Sequence, residues 1–244
     1  MKLIKPSFTI LPHLEYPAML RLVSRASSVC YRAEVPESWK EQEKLVATRI
    51  KAGHESVIEH VGFSVEFRVD RGITHELVRH RLAAFTQEST RFCDYDKDKF
   101  GGHLTYIMPP EISLVVPEGI YTGIVQVEAP VQGGVALFLT DEKQDAAVML
   151  DSATHAEWAS GLLRAEIAYR NAVQMGLAPE IARGVLPNAL AAYITVTANM
   201  REWRHIFRLR ALGTTGRPHP QMVEIMTPLL EEAMRRFPAF FTDL

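Results

Sequence analysis

The sequence predicts an α+β fold, an antiparallel or mixed sheet flanked by helices in a single domain over residues 1–244, and three observations lead there. One stretch alternates without interruption: Val61, Phe63, Val65, Phe67 and Val69 against Gly62, Ser64, Glu66, Arg68 and Asp70. Period two with one apolar face marks a strand in an antiparallel sheet wetted on its other side. Helical spacing dominates elsewhere, and the order helix, strand, helix, irregular β, then mostly helix is not a βαβ alternation. No glycine-rich phosphate loop follows a strand, so the doubly wound and P-loop nucleotide fingerprints are both missing.

In chain order, helices are expected over residues 15–30 and 37–52, the second closed by Gly53. The alternating strand follows at 61–70. Beyond Gly72 the spacing predicts a helix from Thr74 to about Ala84 that breaks around residues 86–91. Residues 94–134, rich in Gly, Pro and short β-branched runs, read as a β-rich insertion of loops and two or three short strands. A pair of helices is expected within 141–176, then a turn bracketed by Pro179 and Pro187. A helix capped by Asn188 is expected to run to about Leu212. A loop at 213–220 and a final helix over 221–236 complete the chain.

Composition narrows the class. The 244 residues, 47% hydrophobic and 23% charged, can bury a core without covalent staples. A formal net charge of -2 predicts no general affinity for nucleic acid or acidic membranes. Two cysteines, Cys30 and Cys93, exclude a disulfide framework and a four-thiolate zinc site. No stretch approaches the length of a membrane span and residues 1–10 carry no signal-peptide pattern, so a cytoplasmic location is expected. The near-neutral average conceals one cationic stretch: six arginines but a single acid, Glu202, between Arg183 and Arg217. That contrast points to a site for a discrete anion.

The densest chemistry lies at residues 74–92. On the expected helix Glu76, Arg79, His80 and Ala83 share a face. Arg79, His80 and Arg81 repel one another, and the planar Arg fork suits phosphate or a polar heterocycle edge. Ser89 and Arg91 add a hydroxyl and a guanidinium on the following loop. Taken alone, the cluster also fits a solvated helix end. In the expected 188–212 helix, Arg201, Arg204, His205 and Arg208 form a cationic face, while Val196, Trp203, Ile206 and Phe207 form an apolar one. Asn199 and Arg210 fall inside the apolar face. Arg210 is therefore expected to meet a ligand or a carboxylate, either at a site or as a snorkelling helix end beside a Glu.

Arg79-His80-Arg81, seven residues and Ser89 resemble the signature of the flavin-dependent thymidylate synthases. Further matches occur in order: Gly53-His54-Glu55-Ser56-Val57-Ile58-Glu59-His60, Ala182-Arg183-Gly184-Val185-Leu186-Pro187, Thr197-Ala198-Asn199-Met200-Arg201, Phe207-Arg208-Leu209-Arg210 and His219-Pro220-Gln221. The resemblance implies reductive methylation of dUMP to dTMP. Methylene-tetrahydrofolate would be the carbon donor, FAD the hydride carrier and NADPH the reductant. It implies FAD contacts at His54, Ser56, Arg79, His80, Arg81, Asn199, Arg201, His205 and His219. Glu76, Arg79, Gln87, Glu88, Ser89, Thr90, Arg91, Arg183 and Arg210 would surround dUMP, with Arg210 stabilising charge on the uracil ring. Some relatives carry Asn at the place of His205 and Glu at that of Gln87. The resemblance also implies a homotetramer with shared active sites, and it places Cys30 near the flavin.

Neither cysteine is flanked by the residues that mark an activated nucleophile. Ser89 reads as a substrate-binding group, with nucleophilic attack as the alternative, since no base accompanies it at fixed spacing. No metal is expected, because His54 and His60 are six apart and His75 and His80 five apart, not four. Two rival readings remain: a nucleic-acid-binding arginine helix, which the pI of about 6.5 opposes, and a flavoprotein of different chemistry.

Overall fold

The computed structural model describes residues 1–91, 95, 103–113, 120–123, 137–141, 147–150 and 153–244. Strands β1 (Lys2–Ile4) and β2 (Ser7–Ile10) precede helix α1 (Tyr16–Val29), which opens on a proline and buries Met19, Leu20 and Val23. Helix α2 (Trp39–Lys51) starts at Ser38, whose hydroxyl accepts from the Glu41 amide. It ends before Gly53, held at φ 77, the left-handed position glycine takes without strain. Both helices match the expected ones to within about two residues. A 3₁₀ turn, Glu55–His60, leads into β3 (Gly62–Asp70), where buried and part-exposed residues alternate as the pattern requires.

Two boundaries depart from expectation. Helix α3 (Arg71–Leu77) begins earlier, because Asp70 Oδ1 accepts from the Ile73 amide at 2.8 Å and caps it. It stops at Leu77, and residues expected to continue it form strand β4 (Ala83–Gln87). Arg79, His80 and Arg81 leave the helix through successive i to i+3 turns, so the shared helical face of Glu76, Arg79, His80 and Ala83 does not exist.

The expected insertion contains β5 (Thr105–Ile107), α4 (Pro110–Ser113) and β6 (Ile120–Gly123), its remainder falling outside the described residues. Strands β7 (Leu137–Asp141) and β8 (Ala147–Leu150) follow; β8 takes the place of the first of the two helices expected at 141–176, and α5 (Ala153–Gln174) is the second. After α6 (Pro179–Ala182) and a 3₁₀ turn at Arg183–Val185 comes β9 (Ala191–Asn199). The helix expected from Asn188 is thus a strand first. Tyr193, Ile194, Thr195, Val196 and Thr197 favour extended backbone, and Asn199, not Asn188, caps α7 (Met200–Arg210) by accepting from the Glu202 amide at 2.8 Å. Helices α8 (Pro220–Arg236) and α9 (Pro238–Phe241) end the chain.

Residues group into two compact units. Met1–Pro6, Arg68–Thr74 and Gln87–Tyr193 form the first. Its mixed sheet has the order β5-β1-β6-β7-β8, with β1 parallel to β5 and antiparallel to β6. Leu3, Tyr106, Met108, Ile112, Ala159 and Tyr169 are among its buried core. Ser7–Phe67, His75–Thr86 and Ile194–Leu244 form the second. The sheet of order β2-β3-β9-β4 carries most of its residues there. The Trp203 ring of α7 stacks on Phe63 with centroids 4.7 Å apart, and its Nε1 donates to the Phe63 carbonyl at 3.0 Å. Full burial of such a ring stabilises by about 2–3 kcal/mol, and it pins α7 to β3. Where β3 begins, Gly62 lies so close to β9 that a Cβ there would sit 2.3 Å from the Ala198 carbonyl oxygen.

Candidate functional site

In the second unit a cavity of about 730 Å³ is bounded by the turn after α3, the Glu55–His60 turn and the cationic side of α7. Arg79, His80, Arg81, Asn199, Arg201, His205 and Arg210, all expected at the site, line it. Glu55, Glu59, Leu82, Glu202, Arg208 and Leu209, which were not assigned roles from the sequence, line it too. Five guanidiniums therefore face three carboxylates, a surplus that favours a polyanionic ligand.

Arg210 is the most constrained of the five. Its Nη1 donates to Glu76 Oε2 at 2.7 Å, Nη2 to the Glu76 carbonyl at 3.2 Å and Nε to His80 Nε2 at 3.1 Å. The expectation that this arginine meets a carboxylate is met by Glu76. Three of its five N–H groups serve these contacts, leaving two to address a ligand. His80 is buried, 5% exposed. Burial, then the Arg210 charge and the neighbouring His205 hold its pKa down at about 4, so the imidazole is neutral near pH 7. Its Nδ1 faces Glu202 Oε1 at 3.6 Å, and the His205 ring meets it edge-on at 5.8 Å. Burial raises the Glu202 pKa, partly countered by His205.

The helical cationic face divides. Arg201 is exposed and pairs with Glu59 at 2.5 Å, and Arg208 reaches Glu55 at 3.4 Å. Arg204, expected beside them, is instead 1% exposed. Its fork grips Asp243 at 2.6 and 2.7 Å, the Phe240 carbonyl and Glu55, so it is a structural residue that ties the chain's last turn to α7. A buried guanidinium costs several kcal/mol unless so paired. His54 and Ser56 are exposed at the start of the 3₁₀ turn, and His219 is exposed as the N-cap of α8; none of the three is among the cavity-lining residues.

In the first unit the structure gathers the remaining expected residues. Arg183 Nη1 donates to the buried Thr90 hydroxyl at 2.9 Å. Ser89 Oγ accepts from the Arg91 amide at 3.3 Å, and Arg91 Nε donates to Glu180 at 3.1 Å. Glu88 accepts from the Tyr193 amide at 3.2 Å and the Tyr95 hydroxyl at 3.0 Å, fixing the loop to the start of β9. Gln87 Nε2 donates to Thr74 Oγ1 at 3.1 Å. Arg183, from the 3₁₀ turn, thus meets the Thr90 hydroxyl of the 89–91 loop, a donor pair of the kind that suits a phosphate, while Arg91 is engaged by Glu180.

Cys30 is exposed and free, and Cys93 lies outside the described residues. Among the described residues no group of three His, Cys, Asp or Glu side chains could hold a metal, and no helix is long and apolar enough to cross a membrane.

Comparison with known proteins adds independent findings. Residues 13–239 match the family model described as thymidylate synthase complementing protein. The flavin-dependent thymidylate synthase of Nitratidesulfovibrio vulgaris is 29% identical over 94% of this chain and 84% of its own length. That of Clostridium tetani is 31% identical over 81% and 72%. The Pyrococcus furiosus enzyme is 28% identical over 75% of this chain, which spans 59% of its length. A UMP/dUMP methylase, PolB from Streptomyces cacaoi, solved with 5-Br dUMP, shares the fold: TM-score 0.70 over 99% of this chain and 96% of that one, at 17% identity.

Proposed function

The chain belongs to the thymidylate synthase complementing protein family, and from that membership we propose that it is a flavin-dependent thymidylate synthase acting on dUMP. The observation that carries the reading is Arg210, held by Glu76 and neutral His80 at the wall of an arginine-lined cavity with two N–H groups to spare. FAD is the cofactor this implies, and the residues fit it. A dinucleotide diphosphate needs cations, which Arg79, Arg81 and Arg201 supply; Asn199 and His205 add polar groups along the same cavity, and His80, its ring nitrogens turned to Arg210 and Glu202, belongs to the proposed FAD set as part of the wall. His54, Ser56 and His219 belong to the same proposed FAD set. When bound, the flavin supplies the hydride that completes the methyl group.

The protein's own part is electrostatic. Methylation at uracil C5 requires electron density pushed toward that carbon as the ring N–H is lost. A guanidinium, charged at every working pH, stabilises the anionic ring without giving up a proton. Glu76 and His80 hold Arg210 in place, so no reorganisation is needed as charge develops. Glu76, Arg79 and Arg210, with Gln87, Glu88, Ser89, Thr90, Arg91 and Arg183, form the proposed dUMP set; the Ser89–Arg91 loop and Arg183 take the phosphate. Ser89 binds rather than attacks in this reading: its oxygen accepts from the Arg91 backbone amide, and among the described residues no base is hydrogen-bonded to it to take its proton. Methylene-tetrahydrofolate as carbon donor and NADPH as reductant complete the reaction. A cytoplasmic homotetramer sharing its active sites, each chain one functional domain, is the proposed assembly.

The purified protein is expected to carry flavin absorbance and to release tritium from 5-labelled dUMP when given methylene-tetrahydrofolate and NADPH. A flavoprotein without tritium release points to other flavin chemistry, and a colourless protein refutes the reading. Ser89→Ala keeps measurable turnover; complete loss of turnover with dUMP binding intact would favour a nucleophilic serine.

A further inference from the structure

Glu202 is the one acid among the arginines of residues 183–217, yet its carboxylate pairs with none of them. Arg201 goes to Glu59, Arg204 to Asp243 and Arg208 to Glu55. Glu202 instead stands 6% exposed in the first turn of α7, anchored by the Asn199 cap, with Oε1 3.6 Å from His80 Nδ1. Across the same ring, Nε2 accepts from Arg210 Nε at 3.1 Å.

A neutral imidazole carries one N–H. Placed on Nε2, it would point at the Arg210 N–H, donor against donor, and the guanidinium would have to turn away. Placed on Nδ1, it points its positive end at the carboxylate and leaves a lone pair for Arg210.

We propose that Glu202 is a positioning residue for Arg210, acting through His80: its carboxylate selects the Nδ1–H form of the imidazole and so keeps Nε2 open to the guanidinium. The inference rests on the function above only for what Arg210 then does; the tautomer itself is independent of it. His205, exposed and edge-on to His80, is no substitute, since its ring contacts the imidazole by an edge and its charge, when present, would disfavour a proton on His80.

The flavin-loaded protein, labelled with ¹⁵N-histidine and compared with a His80→Gln sample to identify the signals, reports the tautomer directly at neutral pH. His80 is expected to be protonated on Nδ1 and bare on Nε2. In Glu202→Ala the Nε2–H form grows and kcat for dTMP formation falls about tenfold, the size of one misdirected hydrogen bond, with KM for dUMP changed far less. Glu202→Gln, whose amide oxygen can still face Nδ1, recovers much of both signals. Nε2–H in the unaltered protein overturns the proposal, whether or not the alanine variant folds. So does a Glu202→Ala protein with unchanged tautomer and kcat. If the unaltered protein shows the expected tautomer but makes no dTMP, it is the functional reading that fails and the positioning of Arg210 by Glu202 that stands.

Discussion

Replacing Arg210 by lysine keeps the charge and removes the fork. In the structure the guanidinium spends one N–H on Glu76 Oε2 at 2.7 Å, one on the Glu76 carbonyl at 3.2 Å and one on His80 at 3.1 Å. A lysine ammonium can retain the first contact but not all three, and its compact charge no longer presents a fixed pair of donors to a ring. Loss of a single preorganised donor to a developing anion costs about 10²–10³ in kcat. The cost to folding is smaller. Both side chains are partly exposed, 21% for Arg210 and 34% for Glu76, so the pair contributes no more than about 1 kcal/mol. That corresponds to a fall in Tm of roughly 2–4 °C for a chain of this size. The assay is tritium release from 5-labelled dUMP at saturating substrate, with flavin absorbance as the control for an intact cavity. Arg210→Lys is expected to stay folded and yellow while kcat drops by two to three decades. A variant that turns over at nearly the wild-type rate would refute the role given to the guanidinium.

Three further outcomes follow from the geometry. Arg204→Ala leaves Asp243 and the Phe240 carbonyl without their donor and is expected to destabilise by about 3 kcal/mol, read as a lowered denaturant midpoint; an unchanged midpoint contradicts the structural role. Gly62→Ala drives a methyl to 2.3 Å from the Ala198 carbonyl, so β3 and β9 must separate, at a cost of about 2–3 kcal/mol measurable in the same way. The folded His80 pKa of about 4 lies below the ordinary 6.5, so the unfolded chain binds the extra proton. The corresponding stability is complete above pH 6.5 and is lost as pH falls toward 4, by up to about 3 kcal/mol. Glu202, its pKa raised, works in the opposite sense over the acid range. His80→Gln should flatten the acid slope of stability, and an unaltered slope would show that His80 is not buried neutral.

How much of this was legible beforehand depends on the range of the interaction. β3 announced itself because its burial pattern is local, and α1, α2 and α8 because their spacing and caps are. The strand character of Ala191–Asn199 was also present, in Ile194-Thr195-Val196-Thr197. A cap-like Asn188 and the strong helical period downstream drew the helix too far back. The Ala83–Gln87 strand offered no such run, and only its pairing within the sheet makes it extended. At the site, motif spacing located Arg79, His80, Arg81 and Arg210. It did not reveal that Arg204 is buried, because its partner Asp243 lies 39 residues away and nothing local marks the pair. Nothing local marks Glu55 and Glu59 as partners of the arginines, which lie 142 to 153 positions further along the chain.

Glu55 stands 3.8, 3.2 and 3.4 Å from Arg201, Arg204 and Arg208 respectively. One carboxylate thus anchors a buried tether and two groups at the cavity rim. Changes at these three arginines are not independent: removing one frees the acid to rebind the others, so effects measured in combination will depart from the sum of the separate ones. Epistasis of this kind restricts the order in which the rim can be rebuilt. A lineage rebuilding the rim can vary Arg201 or Arg208 while Glu55 holds the others, but losing Glu55 first would take the acid from Arg208 and leave Arg201 to Glu59 and Arg204 to Asp243.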